Sequence, residues 1–182
     1  MKSKAKAGFT LIELLVVIAI IGVLASIVLA SLNTARQKSR DARRITDIKQ
    51  IQLALELYYD GAGTGQYPAA SITCSATVAY GLEALSAANY IPQVPRDPTG
   101  TVTTNCYKYA ALTSGARTTY HLGTTLSDIT NGALTGDRDM VVTAGWTNDF
   151  SGLSASAEGT ACSTTAGTAQ PGGTETCYDA VP

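Results

Sequence analysis

The sequence predicts an α+β protein, in which a long N-terminal α-helix with a membrane-embedded first half packs on a small antiparallel β-sheet head. Three observations predict it. Residues 9–32 form a run of 24 in which Glu13 is the single charge. Helical periodicity then continues without proline to residue 60, and β-branched or alternating segments with all four cysteines follow it. The 182 residues leave room for one membrane segment and one modest head.

Residues 1–8 are a basic leader, with Lys2, Lys4 and Lys6 and no acid. Such a flank fits the positive start of an export signal or the cytoplasmic side of a membrane helix. As a helix, residues 9–32 cover roughly 36 Å, enough for a hydrocarbon core of about 30 Å. That is too long for the apolar part of an ordinary cleaved signal, and no convincing small-x-small site follows it, so the run is expected to stay in the protein. Gly22 interrupts it as either a weak point, at about 1 kcal/mol relative to alanine, or a close-packing position against another helix.

From Arg36 to Lys49 six basic residues face Asp41 and Asp47, a net +4. From Gln50 onward four basic residues face eleven acids, a net -7. A head of that sign is not expected to bind nucleic acid, which needs clustered Lys and Arg. The cluster Arg36, Lys38, Arg40, Arg43 and Arg44 competes with the leader lysines under the positive-inside rule, so charge alone does not fix orientation. Head placement outside rests on the cysteines and the Thr/Ser/Gly-rich, lysine-poor composition, which suit an oxidising exterior. The cluster reads as a binder of anionic lipid headgroups, as a partner for acids of another subunit, or as a solvated helix face.

The long helix is expected to span residues 9–60, its second half made amphipathic by Ile45, Ile48, Ile51 or Gln52, Leu55 and Tyr58 or Tyr59. Arg44, Asp47, Lys49 and Glu56 fall elsewhere on the helical wheel. Glycines in residues 61–66 end the helix, and residues 61–182 form the extracytoplasmic head. A short second helix is expected over residues 81–89 and a stiff loop over the three prolines of residues 90–98. Strands are expected at 107–112, 118–122 and 140–144, with Thr113-Ser114-Gly115 as the first turn. The Ser/Thr/Gly/Ala-rich chain after Phe150 reads as loops.

Cys74, Cys106, Cys162 and Cys177 form no C-x-x-C pair, and an even count outside the cytoplasm points to disulfides. Three pairings are open. Cys74 with Cys106 and Cys162 with Cys177 is favoured because the second bond closes a tail with little else to hold it, a loop worth about 3 kcal/mol in the chain-entropy model. With His121 the lone histidine, neither a zinc site nor a nucleophile–base pair can be assembled, and no enzyme activity is expected. His121 and Trp146 read as structural residues.

The hexapeptide Gly8-Phe9-Thr10-Leu11-Ile12-Glu13, after a basic leader and before a long apolar helix, resembles the class III signal of type IV pilins and type II secretion pseudopilins. A second set of motifs resembles the major pseudopilins: Tyr67-Pro68, Gly81-Leu82-Glu83-Ala84-Leu85, Tyr90-Ile91-Pro92, Pro95-Arg96-Asp97-Pro98 and Tyr107-x-Tyr109. The tail from Cys162 to Cys177 is closer to the disulfide-closed tail of true pilins.

These resemblances imply cleavage after Gly8 by a prepilin peptidase and N-methylation of Phe9. They imply a structural subunit that polymerises through its N-terminal helix, held in the membrane before assembly. Its partners would be further copies in a homopolymer filament, minor pilins, an inner-membrane assembly platform and an assembly ATPase. The filament would stand in the periplasm or on the cell surface, as a secretion pseudopilus or as a pilus for adhesion, motility or DNA uptake. The competing class is a signal-anchored binding module that never assembles. Glu13, an acid in an apolar span, is implied to pair with the Phe9 amine of a neighbouring subunit. The alternatives are an interfacial position or a contact with its own Phe9 amine at i-4. Asp137-x-Asp139 ahead of Trp146 is similar to the family's calcium loop, with longer spacing. Asp137 and Asp139, joined by Asp128, are therefore candidate Ca²⁺ ligands, against the plainer reading of turn acids.

Overall fold

A computed structural model describes residues 10–75, 77–99, 106–112, 115–128, 130–136, 145–147, 162 and 177–182. Helix α1 spans Leu11–Asp60 and helix α2 spans Glu83–Ala87. The strands are β1 (Lys108–Leu112), β2 (Tyr120–Thr125), β3 (Trp146–Thr147) and β4 (Cys177–Ala180). They form one antiparallel sheet in the order β3-β1-β2-β4. The architecture is the expected α+β one. Contacts divide the chain into two units, Met1–Lys38 and Ser39–Pro182.

In the first unit the helix exposes nearly every large apolar side chain it carries, Leu11 at 80% and Ile27 at 63% among them. An 18-residue window of α1 has a mean hydropathy of 3.0, long and apolar enough to cross a membrane. Gly22 stands within unbroken helix, and a methyl group built on it would meet nothing within 4 Å.

In the second unit the helix follows a different rule. Ile48, Ile51, Ala54 and Leu55 recur at three- and four-residue spacing and are buried against Tyr67, Leu82, Leu85, Tyr107, Tyr109, Tyr120 and Leu122. Period-2 alternation places Tyr109, Ala111, Tyr120 and Leu122 on the sheet face that joins this core. Ala110 belongs instead to a second cluster with Cys162 and Cys177, with Trp146 packed against it. The sheet is thus covered on both faces.

Gly81, the first residue of the G-L-x-x-L motif, has φ +98°, and a β-carbon there would collide with the carbonyl oxygen of Ala69. Only glycine fits where this turn crosses the chain. Disulfides join Cys74 to Cys106 and Cys162 to Cys177, with Cα separations of 5.9 and 5.0 Å.

Several expectations are corrected. Strand β2 runs from Tyr120 to Thr125, later than residues 118–122, because its ladder continues through Gly123 and Thr124 against β4. The tail read as loops ends in β4, whose Cys177 to Ala180 pair with Thr125 to Leu122. Arg44 and Asp47, assigned to the polar side of the helix, are buried at 5% and 8% exposure, together with Asp41 at 0%. The expected strand at 140–144 and Thr113-Ser114 of the first turn lie outside the described residues.

Candidate functional site

Two constellations on α1 carry chemistry that hydrophobic burial alone does not explain. The first lies at its start. Thr10 precedes the first helical residue, and its hydroxyl accepts from the amide of Glu13 at 3.3 Å. Glu13 Oε2 in turn accepts from the Thr10 amide at 2.8 Å and the Thr10 hydroxyl at 2.7 Å. This is a capping box, which satisfies helix N–H groups that lack an intrahelical acceptor. Glu13 therefore has a local partner in the single chain, Thr10 at i-3. Gly8 and Phe9 lie outside the described residues, so the cleavage point and the amine implied for Glu13 do as well.

The second constellation fixes the other half of α1 to the head. All five N–H donors of Arg44 are used. Nε and Nη2 grip Asp97 at 2.6 and 3.1 Å, Nη2 also reaches Thr99 Oγ1 at 2.6 Å, and Nη1 reaches Asp41 at 2.7 Å and Ser127 Oγ at 2.9 Å. Asp41 is satisfied in turn by the amides of Ser127, at 3.0 Å, and Asp128, at 2.8 Å. Burial opposes the charge on Arg44, but the bonds and field of Asp97 and Asp41 outweigh it and hold the guanidinium above its ordinary pKa. Burial likewise pushes the Asp97 carboxyl up, and the bonds from Arg44 and Thr99 win, leaving it below the usual carboxylate range. The result is one guanidinium held between two carboxylates with its donors filled and both acids hydrogen-bonded, the arrangement in which buried charge is tolerated.

Tyrosines complete the attachment. Tyr107 donates to Asp47 at 2.6 Å, Tyr67 to Glu56 at 3.0 Å and Tyr109 to the carbonyl of Pro68 at 2.8 Å. Burial first, then the nearby carboxylates at Tyr67 and Tyr107, pushes the phenols upward. Tyr67-Pro68, Asp97 of the proline loop and Tyr107-x-Tyr109, all singled out as motifs, thus converge on the helix or on each other. Arg96 of the same loop donates to the carbonyl of Ser75 at 2.6 Å and to Cys106 Sγ at 3.0 Å.

Sequence reasoning missed Thr10, Asp41 and the inward role of Arg44. The T-x-x-E spacing was the available signal for the cap. For Arg44 the one hint was an acid in a proline-stiffened loop, Asp97, which needs a cation if that loop lies against a helix.

The remaining candidates separate. Asp128 Oδ1 accepts from Thr130 N at 3.0 Å and Thr130 Oγ1 at 2.6 Å, a local turn. Asp137 and Asp139 lie outside the described residues, and among the described residues no group of three His, Cys, Asp or Glu side chains could hold a metal ion. His121 and Asp179, both buried, meet at 2.8 Å across β2 and β4. That contact ties the edge strand down on the face away from the helix.

Comparison with known proteins gives a family model, the prokaryotic N-terminal methylation motif, which matches residues 3–29. Similar curated proteins are all type II secretion system core protein G. The one from Vibrio cholerae is 32% identical over 120 residues, covering 59% of this chain and 73% of the relative. That of Aeromonas hydrophila is 33% identical over 113 residues, covering 55% and 72%. That of Escherichia coli K12 is 37% identical over 106 residues, covering 51% and 66%. No solved structure gives a significant match.

Proposed function

This chain belongs to the type II secretion system core protein G family, and from that premise we propose that it is the pseudopilus subunit of a secretion machine. The observation that carries the reading is the length of the match, 120 residues and 59% of the chain, more than residues 1–60 can supply, so it engages the head in addition to the methylation motif at residues 3–29.

Residues 1–8 are the leader, removed by a prepilin peptidase after Gly8, and Phe9 is the methylated new terminus. Residues 9–32 hold the subunit in the membrane until assembly, with the head of residues 61–182 outside. Polymerisation then moves the apolar side chains from lipid to contacts with other copies, so burial is retained while the solvent is exchanged. The assembly platform, its ATPase and minor pilins act on the subunit during that transfer. Ca²⁺ at Asp137 and Asp139 remains part of the proposal on resemblance alone.

Glu13 has two roles on this reading. In the single chain it closes the capping box with Thr10, and in the filament its charge meets the terminal amine of a neighbouring copy. Two variants separate them. Glu13→Gln keeps a capping acceptor and removes the charge, whereas Glu13→Ala removes both. The expected outcome is that each is inserted and processed and neither yields filaments. Normal filament yield from Glu13→Gln would reduce the residue to a helix cap.

A surface pilus is the second reading, favoured by one feature, the Cys162–Cys177 bond that closes the tail. Accumulation of exported proteins inside a deletion strain supports secretion. Unimpaired export with loss of adhesion or motility supports the pilus.

A further inference from the structure

The structure sorts the charges of residues 33–50 in a way that the sequence does not show. Two acids, Asp41 and Asp47, lie in this stretch and would dilute its positive charge if exposed. Both are buried: Asp41 accepts from Arg44 and two backbone amides, and Asp47 accepts from Tyr107. Arg36, Lys38, Arg40, Arg43 and Lys49 are left exposed. Arg43 leans on Asp47 at 3.7 Å, while Arg36, Lys38 and Arg40 form no ion pair among the described residues. The exposed charge on this part of α1 is therefore purely cationic.

We propose that Arg36, Lys38 and Arg40 bind the phosphate headgroups of anionic phospholipids and hold the unassembled subunit at a fixed depth in the bilayer. The inference rests on the proposed membrane-held state and adds the partner. The apolar run ends at Leu32, so at the standard helical rise these residues lie about 6, 9 and 12 Å beyond it. The polar layer on each side of a hydrocarbon core is roughly 5 to 8 Å deep, and long basic side chains reach back toward it along their own apolar stems. Arg36 and Arg40 share a helix face at i, i+4 spacing. Lys49, about 25 Å beyond Leu32, is out of range. An acidic surface on a second copy has the complementary charge too, but it must first be brought to the stripe by assembly. Headgroups already stand beside these side chains whenever residues 11–32 are in lipid.

The test uses the full chain in detergent micelles, titrated with phosphatidylglycerol or phosphatidylcholine, with bound lipid counted by native mass spectrometry. The expected result is phosphatidylglycerol binding roughly tenfold to a hundredfold tighter than phosphatidylcholine, weakened by salt. The combined Arg36→Gln, Lys38→Gln and Arg40→Gln variant should lose most of that preference, keeping only what the leader lysines Lys2, Lys4 and Lys6 supply, with its circular dichroism unchanged. Lys49→Gln, an equal loss of charge out of range, should keep the preference. Equal binding of both lipids by the wild type, or preference undiminished in the triple variant, overturns the proposal. So does competition by inorganic phosphate at a concentration equal to that of the lipid, which would make the stripe a free-anion site. Loss of self-association in the triple variant without change in lipid binding would assign the stripe to acids of a neighbouring copy, and also overturns it. The titration concerns unassembled subunits, so its failure leaves the filament reading untouched.

Discussion

The two halves of helix α1 are built by opposite rules. Residues 11–32 are apolar on every side and expose Leu11, Leu15 and Ile27, whereas residues 41–55 bury a narrow stripe of Ile48, Ile51 and Leu55 beside charged groups that are also buried. The first half has no preferred face because its surroundings, lipid or other copies, are apolar in every direction. The second half has one face because one side is its own head. The lesson is that a charged residue flanking an apolar span can belong to the fold rather than to the membrane. Arg44 does, whereas Arg36, Lys38 and Arg40 stay exposed.

Breaking the network should give the largest effect. Arg44→Ala leaves Asp41 and Asp97 without their cation, and removal of one partner of a buried pair costs about 3 kcal/mol or more. Thermal unfolding of the head, followed by near-ultraviolet circular dichroism of the full chain in detergent, should fall steeply. The far-ultraviolet helix signal of residues 11–32 should persist. Collapse of both signals together would contradict the division.

Packing gives a sharper contrast. Leu55→Ala, fully buried, should cost about 2 to 5 kcal/mol of head stability. Leu15→Ala, 56% exposed in the single chain, should leave head stability unchanged and lower filament yield instead. Equal head destabilisation by the two variants would erase the distinction.

Titration should give the smallest effect near neutral pH and a growing one at the extremes. Burial raises the phenols of Tyr67, Tyr107, Tyr109 and Tyr120 in the folded head. Below the ordinary tyrosine pKa of about 10 their contribution is fully present. As pH rises past that value the unfolded chain loses protons that the folded head retains, so stability falls. Asp97 has the opposite sense: its folded pKa is lowered, so its contribution is present above about 3.9 and is lost as pH falls further. The contribution of these five groups to denaturant midpoints should be flat between these limits. A midpoint that does not move between pH 9 and about 11 would mean that the tyrosines are not protected.

These contrasts also mark what could be read in advance. The long helix, its buried stripe and β1 were legible, because period 3.6 and period 2 report directly which side faces a core. The inward turn of Arg44 was not, because its burial is decided by Asp97, Thr99 and Ser127, which lie 53 to 83 residues away. Strand β4 was hidden in a tail of Ser, Thr and Gly. It forms because Cys177 is bonded to Cys162 and because β2 offers an open edge. The cap at Thr10 is signalled only by T-x-x-E spacing, and an acid within an apolar span points to a partner outside the helix as readily as to the N3 position of a capping box.

The central claim is that residues 1–8 are a leader and that the apolar half of α1 ends up between subunits. Terminal mass analysis of sheared filament material tests both parts at once. The account predicts a chain beginning at N-methylated Phe9 in the filament fraction. A chain that retains residues 1–8 and is found only in the membrane fraction would contradict it.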